Sequence, residues 1–155
     1  MHRFDVITIF PEAFDSYLKT SLLGKAQKKK LLKINLINLR DFAADKHQSV
    51  DDKAYGGGPG MVIKLEPIFK AVQALKSKIK SQKSKVRTIL FSTRGKKFDQ
   101  KVTRRLSKYK NLILICGRYE GVDERVAEHI ADEEISIGDF VLSGGELPVI
   151  ILIEA

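Results

Sequence analysis

Apolar positions in this chain alternate between two patterns, runs rich in β-branched residues and stripes at helical spacing. Residues 4–10 form a β-rich run broken only by Asp5 and Thr8, which predicts a first strand. Pro11-Glu12 then opens a helix, because a first-turn proline gives up an N–H that has no helical partner. Residues 21–30 predict a second helical piece, with Leu22, Leu23 and Ala26 inward and Lys28-Lys29-Lys30 outward. Residues 32–39 predict a second strand around Ile34, Leu36 and Ile37. From Arg40 to Gly60 the periodicity stops, and a long polar loop containing four glycines in five residues is expected. Leu65, Ile68, Phe69, Val72, Leu75 and Ile79 share one helical face, and residues 76–85 follow as a basic, serine-punctuated connector.

The last part reads as strictly βαβ. A strand over residues 86–91 ends in Ser92-Thr93-Arg94-Gly95, and Phe98, Val102, Leu106 and Tyr109 mark a helix face. A strand over 112–116 runs into Gly117-Arg118-Tyr119-Glu120-Gly121, then a helix capped by Asp123 buries Val126 and Ile130. A third strand over 135–137 runs into the glycine-bearing stretch 138–146. Alternation of this kind predicts an α/β fold, a parallel sheet covered by helices on both faces. Ligands of open α/β sheets bind beyond the carboxyl ends of the strands, so three strand ends carrying glycine turns predict the site. The terminal run 147–155 is apolar all round and reads equally as strand or helix. Its lack of a cap or polar tail suggests a chain cut from a longer one.

Charge changes the picture along the chain. The net charge is +9, but residues 1–111 carry +17 and residues 112–155 carry −8. A basic first part fits a polyanion such as nucleic acid, and equally a lysine-rich surface that merely keeps the protein in solution. No apolar run approaches the ~20 residues of a membrane helix, and the N-terminus lacks the features of a signal peptide. The single cysteine, Cys116, has no internal partner, which fits a reducing cytoplasm, and it reads as core filler at a strand end. His47 reads as a surface histidine, and no metal-ligand spacing or Ser-His-Asp arrangement stands out. The glycine loop at 56–60 is neither a P-loop nor a dinucleotide fingerprint. Phe10-Pro11-Glu12 occupies the place after the first strand where a Rossmann glycine turn belongs, so the cofactor site lies late in the chain.

Four stretches, in order, resemble one family. They are Phe10-Pro11-Glu12, Asp51-Asp52-Lys53-Ala54-Tyr55-Gly56-Gly57-Gly58-Pro59-Gly60-Met61, residues 116–125 and residues 136–148. All look like signatures of the bacterial tRNA (guanine-N(1)-)-methyltransferases. The resemblance implies a SPOUT-class fold, a parallel sheet whose C-terminal part is tied in a deep trefoil knot. It implies S-adenosylmethionine as methyl donor and tRNA as acceptor, methylated at N(1) of the guanosine just 3′ of the anticodon, position 37, which guards the reading frame. Magnesium is a further cofactor to be considered. Carried over, Leu90, Phe91 and Ser92 would wall the adenine and ribose, and Gly117, Tyr119 and Glu120 would form the second loop. Ile137, Gly138, Asp139, Phe140, Val141, Leu142, Gly144 and Gly145 would form the third. The resemblance also implies a cytoplasmic homodimer with the site at the subunit interface, and a tRNA contact from the loop 40–60 and the basic first part.

Two local departures are a turn Leu90-Phe91-Ser92-Thr93-Arg94-Gly95 where Tyr-Leu-Ser-Pro-Gln-Gly is common, and Ala54 where proline is common. A third is larger. Residues 1–155 would form the cofactor-binding domain, and the family's C-terminal tRNA-binding domain, with the Asp proposed as general base and a charge-balancing Arg, would lie beyond Ala155. Glu120, Asp139 and Glu146, the acids left near the site, read as structural, so no catalytic residue is assigned and the chain is expected to bind cofactor but be poorly active. The alternatives are a SPOUT methyltransferase of another RNA and a non-catalytic RNA-binding module.

Overall fold

The computed structural model describes residues 1–53, 60–80, 83–118 and 121–155. β1 (His2–Thr8) leads into a 3₁₀ turn (Pro11–Phe14) and two short helices, α1 (Asp15–Leu18) and α2 (Ser21–Lys28). β2 (Leu32–Asn38) is followed by a small antiparallel pair, β3 (Asp51–Lys53) with β4 (Met61–Ile63), and then by α3 (Leu65–Lys80). The βαβ part contains β5 (Val86–Lys97), α4 (Gln100–Leu106), β6 (Asn111–Ile115), a π-helical turn (Val126–Ile130) and β7 (Glu133–Ser136). α5 (Glu146–Glu154) resolves the ambiguous terminal run as a helix.

Five strands pair in parallel in the order β2-β1-β6-β5-β7, so the expected fold class holds. Alternate residues of a strand face opposite sides of its sheet, and β6 shows the result. Leu112 and Leu114 join a core with Val6, Phe14, Val102, Leu106 and Val149, under α4 and α5. Ile113 and Ile115 join a second core with Ile68, Val72, Leu75 and Ile79 of α3, and with Val126 and Ile130. Every residue of β6 is buried, as its unbroken apolar run requires.

Local details differ from expectation for identifiable reasons. Leu22 and Phe69 turn outward, because α2 and α3 bury narrower stripes than their composition offers. The polar stretch after residue 39 is more ordered than expected, with a 3₁₀ turn (Leu39–Phe42), the strand β3 and a fully buried Val50. The turn after Asp123 is a π-helical one, and the Asp123 carboxylate accepts from the Arg125 backbone N–H at 2.9 Å. β5 continues past Phe91 to Lys97 with an irregularity against β7, where Phe91 and Lys96 both align with Ile135. A Cβ at Gly95 would lie 2.5 Å from the Ile135 backbone nitrogen, so only glycine lets these strands approach there.

The last helix returns to the first elements. After β7 at the sheet edge the chain passes back across the ends of β5 and β6, and α5 packs beside β1 and the 3₁₀ turn. Near its far end, the Glu154 carboxylate accepts from the Tyr17 hydroxyl, which raises the Tyr17 pKa.

The edge strand β7 is fastened by charge. Glu133 accepts from Arg87 Nη2 at 2.6 Å and from Arg105 Nη2 at 2.7 Å, with its side chain only 16% exposed. Burial alone would push this carboxyl up, but the bonds from Arg105 and Arg87 outweigh it and hold the group below the ordinary carboxylate range. A depressed folded-state pKa contributes stability above the unfolded value of about 4.3, and that contribution is lost as pH falls through the folded value. Urea unfolding of Glu133→Gln at pH 6 should therefore show a loss of about 1–3 kcal/mol, and the gap from wild type should narrow steadily toward pH 3.

Candidate functional site

β5, β6 and β7 run in parallel, and a cavity of about 440 Å³ lies beyond their carboxyl ends. That volume falls within the range of small-molecule sites. Its first wall is Leu90, Phe91 and Ser92, followed by Thr93 and Arg94 of the β5 irregularity. The second wall comes from the end of β6, Gly117 and Arg118. The third is the return stretch, with Ile137, Phe140, Val141, Leu142, Gly144 and Gly145.

Two glycines set how closely the second and third walls approach. Gly145 donates its N–H to the Gly117 carbonyl at 2.9 Å, and Arg118 pairs with Gly144 as an isolated antiparallel bridge. A Cβ at Gly145 would meet Cys116 Cα at 2.8 Å, and one at Gly144 would strike the Arg118 guanidinium. Side chains continue the connection. Thr8 Oγ1 donates to Glu146 Oε1 at 2.9 Å, and Arg118 Nε donates to Glu146 Oε2 at 3.2 Å. The Arg118 guanidinium stacks 4.7 Å from the centroid of the Phe10 ring, so the first strand's exit also reaches the cavity.

The cavity suits a ligand that is part apolar and part polar. Leu90, Phe91, Ile135 and Pro148 give an apolar lining. Ser92 Oγ, by contrast, is buried without a hydrogen-bond partner among the described residues. An orphaned hydroxyl in a cavity wall offers a hydrogen bond to a polar ligand atom. On the rim, Arg94 bridges Glu124 and Glu134. Among the described residues, no cluster of three or more His, Cys, Asp or Glu could hold a metal ion, and no helix is long and apolar enough to cross a membrane.

Most of the expected residues therefore converge. Gly138 and Asp139 stand off the lining. Gly138 accepts from Ser136 Oγ at 3.0 Å and leaves room for the Phe140 ring, while exposed Asp139 pairs with Lys97 at 2.6 Å. Tyr119 and Glu120 lie outside the described residues, as do Ala54 to Pro59 of the glycine loop. Sequence reasoning missed Arg118, Arg94, Glu124 and Glu134. Arg118 lies between two expected site positions, but the pairing of Arg94 with acids 30 and 40 residues away leaves no local signal.

Comparison with known proteins follows the same outline. The family model described as tRNA (Guanine-1)-methyltransferase TrmD matches residues 2–155. A tRNA (guanine-N(1)-)-methyltransferase of Dictyoglomus turgidum is 55% identical, covering 100% of this chain and 60% of that protein. One of Carboxydothermus hydrogenoformans is 51% identical, covering 99% of this chain and 58% of its own length. The chain thus spans about three fifths of these relatives. The crystal structure of the tRNA (m1G37) methyltransferase from Aquifex aeolicus superposes with a TM-score of 0.85 at 42% identity, over 99% of this chain and 67% of that one. The expectation of a poorly active chain is not borne out by these comparisons, which name the relatives as methyltransferases.

Two outcomes are expected at the site. Gly145→Ala should lower stability by about 1–3 kcal/mol in urea unfolding, because its Cβ meets backbone rather than a movable side chain. Burial, and next the Glu146 carboxylate, push the Cys116 thiol well up. Ellman's reagent at pH 8 should therefore leave the native protein unlabelled and titrate one thiol after unfolding in urea.

Proposed function

The chain belongs to the tRNA (guanine-1)-methyltransferase family, and on that premise we propose that it methylates N(1) of the tRNA guanosine at position 37, using S-adenosylmethionine. The observation that carries this reading is the convergence of three glycine-bearing strand ends on one cavity whose buried Ser92 hydroxyl lacks a partner. Bound there, S-adenosylmethionine would supply a methyl group already activated by its sulfonium. Residues 1–155 act in this reading as the cofactor-binding SPOUT domain, and the return of the chain from β7 past β5 and β6 to β1 is the part tied as a trefoil knot.

The chain's own contribution is binding, orientation and exclusion of water. Leu90, Phe91 and Ile135 present apolar surface to an adenine ring, and Ser92 Oγ offers a hydrogen bond to the polar part of the ligand. Backbone groups of Gly117, Ile137 and residues 140–145 would supply the remaining polar edge, and the family resemblance adds Tyr119 and Glu120. Holding methyl donor and acceptor in line removes much of the orientational barrier. Guanine N(1) must also lose a proton, which requires a positioned base. Among the described acids near the cavity, Glu124 and Glu134 are engaged by Arg94, Glu146 by Arg118 and Asp139 by Lys97. Their structural duty agrees with assigning none of them as the base.

The basic residues before position 112 and the loop 40–60 would hold the tRNA, and magnesium remains a cofactor to be tested in the same assay. Val141 of the cavity wall and Leu147 and Ile151 of α5 are exposed apolar residues, which supports a homodimer with the site at its interface. A cytoplasmic location follows from a tRNA substrate.

Transfer of a tritiated methyl group to tRNA transcripts tests the proposal directly. Label should appear on transcripts with guanosine at position 37 and not on those with adenosine there. Equal labelling of both, or of ribosomal RNA alone, would point to another RNA target. RNA binding without any calorimetric signal for S-adenosylmethionine would instead support a non-catalytic module. Light scattering should give a dimer for wild type and a shift to monomer for Val141→Asp.

A further inference from the structure

We propose that Glu146 is a positioning residue of the cofactor cavity, which sets the separation of its second and third walls through Arg118 and is itself aimed by Thr8. This rests on reading the cavity as the S-adenosylmethionine site.

Glu146 is 4% exposed, and a carboxylate taken out of water is expensive unless each of its oxygens is matched. Both are matched here, and by groups from distant parts of the chain. Oε1 receives the Thr8 hydroxyl from the end of β1, and Oε2 receives Arg118 Nε from the turn after β6. The Phe10 backbone N–H donates to Thr8 Oγ1 at 3.0 Å, which leaves the Thr8 proton free to point at Glu146. The acceptor and donor roles of that hydroxyl are thereby fixed, and so is the carboxylate.

Arg118 is consequently held on two sides. Its Nε is bound by Glu146 and its face lies on the Phe10 ring. Its backbone bridges Gly144, and its Nη1 lies 3.4 Å from Ser143 Oγ. Arg118 therefore joins the two walls along an edge where glycine leaves no side chain to do so. A purely apolar residue at position 146 would fill the same space at lower desolvation cost, but it would leave the guanidinium to swing into solvent. The arrangement also gives a role to Phe10, the residue found where a Rossmann glycine turn would otherwise hold the cofactor.

The test uses Glu146→Gln, Thr8→Val and Arg118→Lys in the full chain, with folding followed by circular dichroism and melting. Isothermal titration with S-adenosylmethionine and separate KM values for cofactor and tRNA are the readouts. Glu146→Gln should weaken S-adenosylmethionine binding about tenfold and raise its KM in parallel, with the tRNA KM within about twofold of wild type. Arg118→Lys keeps the charge but loses the planar fork, and should bind S-adenosylmethionine more weakly than wild type and more tightly than Glu146→Gln. A variant that melts earlier yet binds S-adenosylmethionine as wild type does would overturn the proposal and leave Glu146 a stability element. If Glu146→Gln does not fold, Thr8→Val and Arg118→Lys decide by the same criterion. Wild-type protein that fails to bind S-adenosylmethionine refutes the functional reading instead, so the two failures are distinguishable.

Discussion

The contact between the Gly145 N–H and the Gly117 carbonyl, 2.9 Å long, is the constraint around which the cavity end of this molecule is arranged. It ties the start of α5 to the end of β6, the sheet's central strand. A Cβ at Gly145 would meet the Cys116 backbone and one at Gly144 the Arg118 guanidinium, so this approach excludes side chains from the return stretch, while Gly117 has room for one. Once the turns are joined, α5 must lie beside β1, and Glu146 must enter a space from which water is excluded. The charge pairing of Arg118 follows from that burial.

The same logic separates the site's two kinds of polar group. Glu124, Glu134, Glu146 and Asp139 are matched by cations, so their charges are spent on holding loops in place. The Ser92 hydroxyl is unmatched among the described residues and remains open to a ligand. A cavity with neutralised acids and open neutral donors suits a cofactor gripped by hydrogen bonds and apolar contact. Electrostatic clamping of a phosphate would call for a different lining.

Much of this was legible in the sequence because it depends on local pattern. The buried β6 run, the α3 stripe and the glycine turns after three strands follow from residue periodicity and from where α/β sheets bind ligands. Family motifs then extended the reading to ten of the described residues that line the cavity. Long-range pairings were not legible. Nothing in the neighbourhood of Thr8 announces a carboxylate 138 residues away, and nothing near Arg94 announces Glu134. The outward Leu22 and Phe69 mark another limit, because composition gives a face's apolarity but not how much of it a neighbour covers. The irregularity in β5 likewise depends on Gly95 meeting a strand that lies forty residues later.

The adjacency of α5 to β1 has a temporal side. Contacts between the first and last elements give the native state many sequence-distant pairings, and such topologies fold slowly because loop entropy is spent before those contacts form. On a ribosome, β1 and β2 can pair early, yet the wall formed by residues 143–146 cannot close until α5 has emerged. Until then the edge of the cavity at Cys116 and Gly117 stays open to solvent. Competence for a ligand therefore waits on α5.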